Sequence, residues 1–189
     1  MDKITEIRGR IYDHFHSSKA CNDFFFSDDQ EERYAAYYTS MYLLQDTTES
    51  LSVHRAKGFS DDPHEAYVEF WGIMQAIIIQ QDALCELYKA VKGSKLSTKN
   101  IQNWQSLRTL RNICAGHPAK KDLPKSSPLI RSFMGRGFGD YSSIMYEKWE
   151  IGSGTSHPEV DLGALIDKYS AEVEMIISDI LNSLKKQWP

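Results

Sequence analysis

Apolar residues recur at helical spacing along most of this chain, and four stretches carry the pattern most clearly. Residues 63–92 include FWGIMQAIIIQQDALCELY, which is apolar nearly all round and so marks the central element of a bundle. This stretch follows Asp62-Pro63-His64-Glu65, an N-cap carboxylate, a proline at the first helical position and a glutamate at the third, and it should stop at Gly93. Val160, Leu165, Ile166, Tyr169, Val173, Ile176, Ile177, Ile180, Leu181 and Leu184 predict a second long helix over 159–187. Tyr34, Tyr37, Tyr38, Met41, Tyr42 and Leu44 predict a third over 29–55, opened by a capping box at Ser27/Gln30 or Asp28/Glu31. Trp104, Leu107, Leu110 and Cys114 predict a fourth over 98–115, with Ser97 or Thr98 as its cap.

Ile4, Ile7, Ile11 and Phe15 add a short amphipathic helix over 2–16, followed by the apolar plug Phe24, Phe25 and Phe26. The fold class is therefore all-α: an up-and-down helical bundle of four to five helices with a long irregular insertion before the last helix. Residues 1–26 read as an N-terminal extension and 27–189 as the bundle domain. The insertion after Pro118 is rich in Pro, Ser and Gly, with a short strand or ordered loop at 144–151. So long an irregular stretch points to a lid or binding loop.

At 189 residues, 41% hydrophobic and 12% aromatic, the chain supports one substantial core. Cys21, Cys85 and Cys114 are odd in number and show no CxxC spacing, so neither a disulfide framework nor a metal site is expected, and no cofactor is implied. The N-terminus lacks an apolar signal core, and the longest apolar run, Ile73 to Ile79, contains Gln75 and is too short for a bilayer. A soluble, cytoplasmic protein with no membrane partner is expected. The glycines of Met134 to Asp140 lack the Gly-Lys-Ser/Thr ending of a phosphate loop.

The stretch that looks chemical is Leu107 to Pro118, LRTLRNICAGHP. Its front half continues the helical stripe; Gly116 is expected to turn left-handed and Pro118 to end the helix, leaving His117 at the turn near Arg111. On an uninterrupted helix these two side chains would diverge, about 240° apart around the axis with roughly 9 Å of rise. Either the reversal at Gly116 or a second subunit would have to bring them together. An arginine followed by a polar residue, with a histidine a few positions later at a helix end, resembles the signature of HEPN domains, all-helical proteins that include metal-independent endoribonucleases. The resemblance rests on Arg111, Asn112 and His117 and on the helical layout of 29–188. It implies RNA cleavage across a homodimer, with His117 transferring a proton, Arg111 stabilising the phosphate and Asn112 orienting one or the other.

Charge supports the same stretch. The chain carries −4, yet residues 106–136 hold seven basic side chains against Asp122 alone, +6 locally and −10 elsewhere. Arg108, Lys120, Lys121, Arg131 and Arg136 are the substrate-binding candidates for RNA. A second reading keeps the bundle and drops the chemistry: a helical module that binds a protein partner, in which Arg111 satisfies Asp82 or Gln81 on the preceding helix and His117 is only a helix terminus.

Overall fold

The computed structural model describes residues 2–116 and 129–189 and is mostly helical. Six α-helices lie among the described residues, where four to five were expected: α1 Asp2–Ser17, α2 Lys19–Phe25, α3 Glu31–Lys57, α4 Pro63–Lys92, α5 Gln102–Arg111 and α6 Leu162–Gln187. α3 and α4 pack along each other, α6 runs against α1, α4 and α5, and α1 also touches α3. The buried stripe of α4 (Phe70, Met74, Ile77, Leu84, Leu87, Val91) meets those of α3 (Tyr37, Met41, Leu44, Leu51) and α6 (Tyr169, Val173, Ile177, Ile180, Leu184) in one core. A fully buried aliphatic or aromatic side chain contributes about 1.5–3 kcal/mol.

The N-terminal residues share that core. Ile4, Ile11 and Phe15 of α1 and Phe25 of α2 are at most 1% exposed. Phe15 stacks on Tyr37 with ring centroids 4.2 Å apart, while Phe24 and Phe25 close on Trp188 at 4.9 and 5.2 Å. Of the apolar plug, Phe26 alone faces outward, at 56% exposure.

α4 starts on the cap expected at Asp62 and α6 on Asp161, which was not read from the sequence. The capping box expected at Ser27 or Asp28 does not form: a 3-10 turn over Asp28–Gln30 leads into α3, and Ser27 makes no cap bond. Asp62 Oδ1 accepts from the amides of His64 at 2.8 Å and Glu65 at 3.1 Å, and Asp161 Oδ1 accepts from Ala164 N at 2.7 Å. α5 starts at Gln102 rather than at the expected Ser97/Thr98 cap. Its first amides are satisfied from another helix: the Glu172 carboxylate of α6 accepts from Asn103 N at 2.9 Å and Trp104 N at 2.8 Å. An anionic group at a helix N-terminus is favoured by the dipole as well as by the hydrogen bonds.

The insertion, expected to be irregular apart from a short strand or ordered loop at 144–151, has five short strands among its described residues. β1 Ile130–Phe133, β3 Glu147–Glu150 and β4 Gly154–Ser156 form an antiparallel sheet in the order β1-β3-β4, and β2 Ile144–Met145 pairs with β5 Glu159–Val160. Buried aromatics pin it to the helices. Phe138 packs edge-on to Phe59 at 5.4 Å, and Tyr141 stacks on Phe59 at 4.8 Å while its hydroxyl meets His54 Nδ1 at 2.7 Å. No helix among the described residues is long and apolar enough to cross a membrane.

Candidate functional site

Arg111 is the last residue of α5, and Asn112–Gly116 continue it as a single π-helical turn. π turns of this kind appear mostly as single turns and frequently at functional sites. Gly116 is not left-handed, since its φ is not positive, so the left-handed stop expected there is not the reason for a glycine. The reason is lateral. A Cβ at Gly116 would lie 2.6 Å from Arg111 Nη1, 3.2 Å from its Cζ and 3.3 Å from Asn112 Oδ1. The guanidinium therefore rests on the bare backbone of Gly116, in space that any other residue would fill.

Two amides hold the guanidinium there. Nη1 donates to Asn112 Oδ1 at 3.2 Å and Nη2 to Gln75 Oε1 at 3.2 Å. Gln75, within an otherwise apolar run, is exposed on α4. Both acceptors are neutral, and among the described residues Arg111 makes no ion pair. Its charge is oriented without being cancelled, which suits an arginine whose planar fork serves an oxyanion.

Arg108, three residues earlier, is the opposite case. Its Nε donates to Gln81 Oε1 at 2.8 Å and its Nη2 pairs with the Asp82 carboxylate. Gln81 is fully buried and donates in turn to the Trp104 carbonyl at 3.2 Å. The partners that the protein-module reading assigned to Arg111 thus belong to Arg108, because one further turn along α5 sets Arg111 opposite Gln75 instead.

The sheet meets the π turn directly. Ser132 Oγ of β1 donates to the Ile113 carbonyl at 2.6 Å, satisfying one of the acceptors that a helix end leaves open. Arg131, its neighbour on β1, is exposed and lies opposite Trp149, and Arg136 is exposed in the turn after β1. His117, Lys120 and Lys121 lie outside the described residues. Cys114, inside the π turn, is 1% exposed, and burial pushes its thiol up to about 12, so it is no nucleophile at neutral pH. No group of three or more His, Cys, Asp or Glu side chains comes together among the described residues.

On the α6 side of α5 a groove of about 800 Å³ opens between the two helices, with Tyr146 and Ile113 at one end and Lys99 and Lys168 on its rim. Sequence reasoning missed it, since its walls come from three separate segments and no local pattern joins them. Comparison with known proteins finds no matching family model, no similar curated protein and no similar solved structure.

Proposed function

We propose that the π turn carries part of a metal-independent endoribonuclease site of the kind the HEPN resemblance implies. The observation that supports this most is Arg111 itself: a partly exposed guanidinium, fixed by Gln75, Asn112 and the bare backbone of Gly116, with no carboxylate neutralising it among the described residues. A site built to stabilise charge that appears only in the transition state needs such a pre-oriented cation. His117 follows Gly116 by one peptide bond, and histidine is the side-chain type suited to giving and taking a proton at neutral pH.

In the proposed reaction His117 accepts the proton of an RNA 2′-hydroxyl as the 2′-oxygen attacks the adjacent phosphorus. Arg111 stabilises the negative charge of the pentavalent phosphate. The bond from phosphorus to the 5′-oxygen breaks, that oxygen takes up a proton, and a 2′,3′-cyclic phosphate remains. Asn112 and Gln75 orient the guanidinium. Arg131, Arg136, Lys120 and Lys121 supply cations for the flanking phosphates, whereas Arg108 contributes less, being already paired with Asp82. Two copies of the chain bring two such motifs together in a homodimer.

The test is cleavage of single-stranded RNA in the presence of EDTA. The wild type should leave 2′,3′-cyclic ends, and His117→Ala should abolish this with an unchanged melting temperature. A wild type inert on varied RNAs would reject the reading. It would favour a helical module for a protein partner, which the exposed Tyr38, Tyr42, Val68 and Trp71 on α3 and α4 support independently.

A further inference from the structure

α5 and α6 run antiparallel. Glu172, inside α6, caps the start of α5, while Leu110 and Ile113 at the end of α5 share a groove with Val160, Asp161 and Ala164 at the start of α6. The groove between them is lopsided in its chemistry. Its floor is apolar, formed by Leu110, Ile113, Val160, Leu165 and the ring of Tyr146, which is 9% exposed. Its rim is rich in donors. Lys99 and Lys168 are exposed, and neither makes a hydrogen bond or ion pair with a described residue. The Tyr146 hydroxyl likewise bonds to no described residue.

The two acids nearby are turned onto amides, which fixes their direction but leaves their charge in place. Asp161, on the wall, accepts from Ala164 N at 2.7 Å as the cap of α6. Glu172 beyond it takes two backbone amides and the Asn103 side chain, the last at 2.7 Å. What the groove offers a ligand is therefore two cations against the single capped carboxylate of Asp161, with neutral donors and an apolar bed. That combination fits a chain of anions carrying planar apolar groups.

We propose that this groove seats a single strand of RNA, with bases on the Leu110, Ile113 and Tyr146 floor and phosphates at Lys99 and Lys168. The proposal rests on the ribonuclease reading above and extends it, because the groove ends at Ile113, inside the π turn that follows Arg111. A strand leaving the groove there rounds the end of α5, a helix about 10–12 Å across with its side chains, to reach the Arg111 side. The substrate is then gripped on one face of α5 and cut on the other, which accounts for the two faces bearing different cations.

The experiment measures binding apart from cleavage. A fluorescein-labelled 2′-O-methyl oligonucleotide, which lacks the attacking hydroxyl, is titrated against the wild type and Lys99→Ala/Lys168→Ala by anisotropy at several salt concentrations. The double variant should bind roughly tenfold more weakly, with a salt slope flatter by about 1.4 for two lost phosphate contacts, and should melt with the wild type. Equal affinity and slope in both proteins, or no binding by the wild type, would overturn the proposal. So would a polyglutamate peptide that displaces the oligonucleotide at equal charge, since the groove would then be an acidic-peptide site. Cleavage of ordinary RNA, assayed alongside, separates the two readings. Lysine-dependent binding without cleavage keeps the groove and rejects the nuclease. Cleavage by the double variant at wild-type KM keeps the nuclease and rejects the groove.

Discussion

The guanidinium of Arg111 occupies the space that a side chain at Gly116 would need, with Nη1 2.6 Å from the Cβ position. Gly116→Ala therefore tests function with little disturbance of the fold. The atom it strikes is the end of a flexible side chain, which can swing away, and alanine is favoured over glycine in a helical turn by up to about 1 kcal/mol. Melting temperature should hold or rise slightly. RNA cleavage should fall about 10²-fold, the scale seen when a positioned charge is lost from a transition state. Full activity in a stable Gly116→Ala protein would show that the position of Arg111 is immaterial.

Arg108 and Arg111 should separate in denaturant melts. Arg111→Ala removes two bonds to neutral amides that water can replace, so stability should change by less than about 1 kcal/mol. Arg108→Ala leaves the Oε1 of fully buried Gln81 without its donor and should cost about 1–3 kcal/mol. The Asp82 pair itself is exposed enough to add little. Equal losses in the two variants would contradict this division of labour.

Cys114 gives a pH signature. Its thiol is raised by burial from 9.0 to about 12 in the folded chain, so the folded state holds the proton that the unfolded state releases above pH 9. The group contributes nothing to the pH dependence below 9. Between 9 and 12 its contribution to stability declines by about 1.4 kcal/mol per pH unit. Cys114→Ala should be less stable at neutral pH because of the cavity, yet fall less steeply above pH 9 in urea melts. Parallel curves for the two proteins would place the thiol in water.

Self-association is the fourth expectation. Ile4, Ile11 and Phe25 are buried within the chain, with Ile7 and Phe24 packed against the same core. A homodimer must use other residues, and Trp71, at 43% exposure, and Val68, at 63%, stand together on α4. Light scattering should give twice the chain mass, and Val68→Glu/Trp71→Glu should give the monomer. A wild-type monomer at high concentration would rule the dimer out.

The helices were legible because their signals are local. Spacing of three and four residues, the Asp62-Pro63 start and the Gly93 stop act within a turn or two of the chain, and α4 spans Pro63–Lys92 as they require. The centre of the core was also readable, since Leu107, Tyr169 and their stripes carry the apolar area that has to be buried, although the share taken by Ile4, Ile11, Phe15 and Phe25 was not. The basic stretch around Arg111 was visible for the same reason: charge is a property of residues. Partnership is not. Which arginine takes Asp82 depends on the rotation of α5 against α4, and the start of α5 depends on Glu172, some seventy positions away and brought close only by the packing of α6. Of the insertion only a short strand or ordered loop at 144–151 was read, where β2 and β3 lie; β1, β4 and β5 escaped notice because segments of two to four residues bury too little to leave a period in the sequence. Gly116 marks the divide most clearly. That a glycine stands there is written in the sequence, but that it makes room for a guanidinium rather than for a left-handed turn was decided by the π winding and by where Gln75 stands on α4.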